Sequence, residues 1–382
     1  MTAMAAAIVG GGVAGFRCAE GLRQGGYPGD ILVFSDDPIF ACNRPVLSKG
    51  HLEGTAAPTE LALSGRHADG YTVVAERVTG IDTAAGTVHA AGADYAYTHL
   101  IVATGIAPSR LPAPAGAPEQ LTVRTRDDIG RLRTLVDDGA RIAVVGGGTL
   151  ALETASSLAR LGARPVLATR SARPLARLVG DHHAARIAAR ISQADLEWLQ
   201  GSPLLEPGAL RVGEHTRPVD AVVTAIGGTP EVDLLGAAAG AGGVAVDEQF
   251  RLTGLPGVWA VGDIARWADG DMHPHWFAAM ESARVATRSV LEAAGVPAAG
   301  RGTTAFVHSF WSDQWGHRIQ AFGDRPAGLV EHVLQDDPQG VTVGFTDAGG
   351  ALRGVVAVSP LGSPSPAMPW RARLGEPLTV PA

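Results

Sequence analysis

Apolar residues run unbroken over Ala5–Val9, then yield to the glycine turn Gly10–Gly15 and to apolar positions at helical spacing as far as Gln24. An apolar run that ends in glycine and passes into helical periodicity predicts a buried parallel strand, a tight turn and a helix. A further strand is predicted at Ile31–Phe34, after Gly25-Gly26. The same pattern returns at Arg141–Glu153, with a helix to Leu161 and a strand at Val166–Ala168. The chain therefore contains an internal repeat, each copy opening its own βαβ unit. Between the copies, the proline-rich stretch Leu111–Pro118 marks a crossing between domains. Residues 240–301 return to strand, turn and helix (Val258–Asp263, then Phe277–Leu291). After about Arg301 the texture changes to short alternating strands, such as Val341–Phe345 and Gly354–Val358. The proline-rich end, Pro360–Ala382, is expected to be only loosely ordered.

Gly10-x-Gly12-x-x-Gly15 has the spacing of a pyrophosphate-binding turn. The first glycine allows the turn, the second lets phosphates approach the backbone, and the third lets the helix pack on its strand. The next predicted strand ends in Ser35-Asp36-Asp37, where an acid can bind ribose hydroxyls. Gly146-x-Gly148-x-x-Ala151 repeats the loop with alanine at the packing position. Its next strand ends differently, in Thr169, Arg170 and, further on, Arg173. An arginine here suits a 2′-phosphate and hence NADPH. The alternative is a pocket that has lost nicotinamide specificity. The pattern implies an α/β fold with two Rossmann-like dinucleotide-binding domains plus a small α+β C-terminal domain. The expected divisions are 1–111 with 231–300, then 112–230, then 301–382, the middle one abbreviated around Ala184–Gly213.

Composition changes this picture in three places. Only one of the 31 basic residues is lysine, Lys49, which points to a position needing a compact ammonium; the bland reading is an accidental surface lysine. Two cysteines, Cys18 and Cys42, cannot build a disulfide framework and fit a reducing cytoplasm. Cys18 is expected in the core, and Cys42 as a small residue near the cofactor. The net charge of −7 disfavours nucleic acid as a partner. No apolar run reaches the roughly 18 residues of a membrane span, and the N-terminus reads as part of the fold rather than a leader. The pairs His182-His183 and His273-x-His275 suggest no third ligand, so no metal is expected; the first pair reads as surface.

Further motifs carry a family resemblance. Val258–Asp263 ends a strand in Gly262-Asp263, and Leu100–Gly105 ends another in Ala103-Thr104-Gly105. Together with the glycine loops these resemble two-dinucleotide-domain flavoproteins, which implies FAD at the first loop and Asp263 on its ribityl chain. Arg44-Pro45-Val46-Leu47-Ser48-Lys49 resembles the Arg-Pro-Pro-Leu-Ser-Lys loop of NAD(P)H-dependent ferredoxin reductases. His275-Trp276 with Glu281, Phe310–Gln314 and Ile226-Gly227-x-x-Pro230 are similar to other motifs of that family, and the likeness runs from Ile8 to about Val358. Asn43, Pro274 and Thr169 depart from it: the family usually has acids at these positions.

The resemblance implies FAD contacts from Gly10, Gly12, Gly15, Ser35, Asp36, Arg44, Val78, Ala103, Thr104, Gly105, Gly262, Asp263, His275, Trp276 and Trp311. It implies NAD(P) contacts from Gly146, Gly148, Ala151, Thr169, Arg170 and Gly227. It also places Lys49 beside the flavin's reactive edge, paired with Glu153 of the second glycine helix. A cation there would stabilise the negative charge left when hydride arrives. The implied activity takes hydride from NADH or NADPH and passes electrons to a 2Fe–2S ferredoxin serving an oxygenase. Arg284 and Arg288 are candidates to face that acidic partner. A cytoplasmic monomer or homodimer is expected. Two other readings stay open: a flavin-dependent oxidase or dehydrogenase acting directly on a metabolite, and a redox-gated binding protein similar to apoptosis-inducing factor.

Overall fold

The computed structural model describes residues 4–238, 240, 242–297, 306–324 and 326–378. The chain divides into two compact units. One comprises Met1–Arg44, Ala57–Ala107 and Gly228–Phe306, the other Pro45–Ala56, Pro108–Gly227 and Val307–Ala382. The expected boundary at 300/301 lies outside the described residues.

In the first unit, five parallel strands lie in the order Val258–Ala260, His99–Val102, Ala5–Val9, Asp30–Phe34, Thr72–Val74. The central strands are apolar on both faces because helices cover both sides of such a sheet. Ile8, Val33, Leu100 and Ile101 are accordingly fully buried. The helix Val13–Gln24 packs on the helix Trp276–Ala293, and glycine makes the approach possible. A Cβ on Gly21 would stand 3.0 Å from Thr287, and one on Gly25 would strike Leu291. Cys18 is buried in this seam, and burial pushes its thiol up to about 12. An antiparallel sheet of Val78–Asp82, Thr87–Ala90 and Ala93–Ala96 completes the unit.

The second unit repeats the parallel arrangement with strands Glu197–Gln200, Val166–Thr169, Ile142–Val145, Ala221–Thr224 and Glu119–Leu121. The stretch expected to be abbreviated holds the end of the helix Ala176–Gln193 and three strands, Glu197–Gln200, Pro203–Glu206 and Ala209–Val212. The helix Arg126–Asp137 starts with Thr125 and Asp128 capping each other's backbone N–H groups. The unit also holds a three-stranded antiparallel sheet, Pro203–Glu206, Ala209–Val212 and His215–Pro218, and a five-stranded one in the order Ser309–Gln314, His317–Gly323, Leu352–Pro360, Gly340–Thr346, Val330–Asp337.

Two sequence expectations fail in this unit. His183 is not on the surface: it is fully buried, its Nε2 lies 3.0 Å from the Val356 carbonyl, and burial pulls its pKa down to about 4. Residues 360–378 are not loose either. Ala367, Trp370 and Leu374 pack against Phe322, Val355 and Ala357. Backbone hydrogen bonds from Leu352 to Glu376 and from Gly375 to Leu352 tie the segment to the start of the sheet's central strand. Proline-rich composition removes donors, yet two or three backbone bonds and three apolar side chains suffice to dock a short segment. Residues 379–382 lie outside the described residues.

Candidate functional site

The first glycine loop is crowded by design of its neighbours. Gly10 has φ +116°, and a Cβ there would collide with the Ala103 carbonyl. A Cβ on Gly15 would collide with the carbonyl of Gly10, so the helix reaches its strand only without a side chain. Gly12 opens the helix Val13–Gln24, and no side chain caps it, which leaves the first N–H groups available to an anion. The Arg44 guanidinium lies 3.0 Å from where a Gly12 Cβ would sit. Arg44 is braced by Asp37 at 3.4 Å, and its buried Nε has no partner. An uncapped helix end, an unpartnered buried N–H and a glycine cradle together fit a pyrophosphate.

A cavity of about 540 Å³ adjoins this loop, lined by Gly10, Asp36, Val78 and Thr104 among others. Asp36 stands at its rim, 2.8 Å from Arg77, and Arg77 also lies 4.0 Å from Glu231. Ser35 is buried, and its hydroxyl accepts from the Asp37 N–H at 3.3 Å. Thr104 Oγ1 donates to the Glu231 carbonyl at 2.6 Å, and Gly105 follows with φ +82°. Ala103 bonds to Val9, continuing the sheet to the loop. Gly262 and Asp263 form the turn after the strand Val258–Ala260, and the Ser282 hydroxyl accepts the Gly262 N–H at 2.9 Å. His275 caps the helix Trp276–Ala293, accepting from the Phe277 N–H at 3.4 Å. Arg284 is held by Glu281 through bonds of 2.8 and 2.6 Å, which offsets the charge it was expected to offer a partner.

In the second unit, Gly146 takes φ +142°, and a Cβ would strike the Ala225 carbonyl. Ala151 is fully buried at the packing position. Gly148 starts the helix Thr149–Arg160 without a side-chain cap, and no atom lies within 4 Å of its Cβ position. Gly227 has φ +98°, and its carbonyl accepts the Ser109 N–H. Thr169 is buried; its hydroxyl donates to the Ser171 carbonyl at 2.8 Å and accepts from Trp198 Nε1 at 2.9 Å. Arg170 is exposed.

One turn along the same helix, Glu153 is buried at the centre of a polar cluster. Lys49 Nζ donates to its Oε2 at 2.7 Å and to the Pro45 carbonyl at 3.1 Å. Ser48 donates to Oε2 at 2.7 Å, and Ser312 donates to Oε1 at 2.7 Å. Burying a carboxylate costs several kcal/mol unless charge and hydrogen bonds surround it; here a cation and two hydroxyls do so. Lys49 and Glu153 are thus brought together, as the sequence motifs imply. Trp311 lies on the same strand as Ser312, half-buried. Sequence reasoning missed the part of Ser48 and Ser312, although both stand inside motifs it used. It also missed Arg77, Glu231 and Ser282, for which a single sequence holds no signal.

The chain belongs to the pyridine nucleotide-disulphide oxidoreductase family, whose model matches residues 4–289. It is an FAD-dependent NAD(P)H oxidoreductase of the ferredoxin reductase kind. Both its cysteines are buried and neither is in a disulphide, so the disulphide of the family name has no counterpart. It is 33% identical over 361 residues to the ferredoxin reductase subunit of 5,5'-dehydrodivanillate O-demethylase from Sphingobium sp., covering 87% of this chain and 84% of that protein. Identity is 30% over 351 residues to the ferredoxin–NAD(+) reductase component of the p-cumate 2,3-dioxygenase system of Pseudomonas putida, with coverage of 87% and 84%. A crystal structure of a ferredoxin reductase from Rhodopseudomonas palustris superposes with a TM-score of 0.83 at 26% identity, covering 93% of this chain and 91% of that one. Putidaredoxin reductase, in its covalent complex with putidaredoxin, gives 0.80 at 25% identity, with coverage of 93% and 89%.

Proposed function

We propose that this chain takes electrons from NAD(P)H and passes them singly to a 2Fe–2S ferredoxin that serves an oxygenase. FAD, held by the first glycine loop, would supply the redox chemistry, acting as hydride acceptor and one-electron donor. The protein supplies binding, orientation and charge. In this reading residues 1–111 and 231–300 hold FAD, 112–230 hold the nicotinamide coenzyme, and 301–382 form the third domain. Gly10, Gly12, Gly15 and Arg44 bind the pyrophosphate, and Asp36 accepts from the adenosine ribose. Asp263 takes the ribityl chain, with Val78, Thr104, His275, Trp276 and Trp311 as further contacts. Gly146, Gly148 and Ala151 give the coenzyme's phosphates a helix N-terminus.

The observation that carries the reading is the ion pair of Lys49 with buried Glu153 on the helix opened by the second glycine loop. Lys49 is held by two oxygens, one from Glu153 and one from the Pro45 carbonyl, and Ser48 and Ser312 hold the Glu153 carboxylate in turn. This keeps the ammonium in one position, as stabilising developing negative charge requires. A cytoplasmic monomer or homodimer is the working form; two buried cysteines outside any disulphide support a reducing compartment. Among the described residues no helix is long and apolar enough to cross a membrane.

Anaerobic stopped-flow tests the reading directly. The purified holoprotein is mixed with NADH or NADPH, the flavin's visible band is followed, and reoxidation by a 2Fe–2S ferredoxin is then measured. Rapid bleaching by at least one coenzyme and ferredoxin-dependent recovery are expected. Bleaching over minutes with both coenzymes would sink the proposal and redirect attention to direct oxidation of a metabolite.

A further inference from the structure

The strand Val166–Thr169 ends where a dinucleotide fold meets the adenosine ribose of its coenzyme. An NADH site places a carboxylate there to accept from the 2′-hydroxyl, and a 2′-phosphate site places an arginine. From Thr169 to Gly180 the chain holds three arginines, Arg170, Arg173 and Arg177, and no Asp or Glu. Thr169 is no substitute for the acid, because its hydroxyl already serves Ser171 and Trp198. The segment folds back on the glycine loop: a Cβ on Gly147 would lie 3.9 Å from both Thr169 and Pro174. All three arginines are exposed. Arg173 is tied to Asp181 at 2.8 Å, whereas Arg170 makes no ion pair or hydrogen bond among the described residues. Arg170 is also the first residue beyond the strand, nearest the loop in sequence.

We propose that the coenzyme of this chain is NADPH and that Arg170 is the specificity-determining residue, pairing with its 2′-phosphate. The inference rests on the reductase reading and separates this chain from the relatives whose names specify NAD(+). A guanidinium offers a phosphate dianion two parallel charge-assisted bonds, whereas the ribose diol of NADH finds no Asp or Glu in the stretch Thr169–Gly180, and the carboxylate that follows, Asp181, is engaged by Arg173.

Calorimetric titration of the flavin-loaded full-length protein with NADP+ and NAD+ tests this without depending on turnover. NADP+ is expected to bind tighter than NAD+ by about tenfold or more. Arg170→Ala should lower NADP+ affinity by about tenfold and move NAD+ affinity far less, while Arg170→Lys retains part of the preference. Equal or tighter binding of NAD+ overturns the proposal and leaves the reductase reading standing. So does an Arg170→Ala protein that keeps the preference. Failure to bind either coenzyme overturns both.

Discussion

Gly10 and Gly146 occupy the same place in two loops, yet the loops differ in how tightly they are closed. Both glycines take positive φ, and both face the carbonyl that follows a neighbouring strand, Ala103 in one and Ala225 in the other. Beyond that point the first loop is packed: Gly11 meets Ser35, Gly12 meets Arg44 and Gly15 meets Gly10. In the second, Gly148 faces open space and Gly147 makes only ordinary contact. The strand ends differ in sign as well, with Asp36 and Asp37 in one and Arg170 and Arg173 in the other. The comparison teaches that strand, turn and helix solve the problem of a pyrophosphate twice in the same way. The surroundings then suit a ligand that stays in one loop and a ligand that comes and goes in the other.

The sharpest way to break that contrast is to add the same methyl group to each loop. Gly10→Ala combines a forbidden φ with a backbone collision, and is expected to cost more than about 3 kcal/mol. The purified variant should have little bound flavin, read from its visible-to-ultraviolet absorbance ratio, and a lowered melting temperature. Gly148→Ala should retain full flavin content and instead weaken coenzyme binding. Equal flavin loss in the two would show that the loops are not specialised.

Next in size is the cluster on the second helix. Lys49→Met leaves Glu153 buried without its cation, at an expected cost of about 3 kcal/mol. Adding Glu153→Gln should recover part of the stability but none of the flavin reduction rate. Thermal melts and stopped-flow on the single and double variants separate the two effects. Additive losses of stability would show that the pair is not coupled.

His183 makes the second unit the acid-sensitive one. Its folded pKa of about 4 lies below the ordinary value, so the folded state keeps it neutral and the unfolded state takes up the proton first. Stability from this group is therefore unaffected above about pH 6.5 and is lost progressively down to pH 4, by about 3 kcal/mol in all. His182, Arg186 and Arg190 lower it further, and the bond to Val356 opposes them. Melts of the native protein and His183→Gln between pH 7 and pH 4, at roughly half-unit steps, should diverge in slope. Parallel curves would remove His183 from the account.

Smallest is the Arg77–Asp36 pair at the rim of the first cavity. Both side chains are more than half exposed, so Arg77→Ala should change stability by less than about 1 kcal/mol. Flavin affinity should move only a few-fold, measured by fluorescence titration of the apoprotein. A loss as large as that of Gly10→Ala would mean that Arg77 holds the ligand itself.

Much of this was legible in the chain because it rests on local pattern. The two loops, their strands and the helix starts follow from glycine spacing and apolar runs, each within about 30 residues. The meeting of Lys49 with Glu153 was reached through motif resemblance, since no periodicity joins residues so far apart. Ser48 and Ser312 went unassigned because a serine's role depends on which carboxylate faces it, and that is decided by tertiary packing. His183 was misread because adjacent histidines look alike in sequence, whereas the helix buries one fully and the other only in part. The docked segment up to residue 378 was misread because composition reports how many donors a segment lacks, not how few it needs.

Since Lys49 is the only lysine in the chain, a lysine-specific endoprotease has one bond to cut, after residue 49. That bond lies in a turn whose lysine is mostly buried and held by Glu153 and Pro45. Cleavage must wait until the turn opens, so the appearance of two fragments times that opening. The composition of the chain has in effect installed a single-site clock at the residue to which the chemistry is assigned.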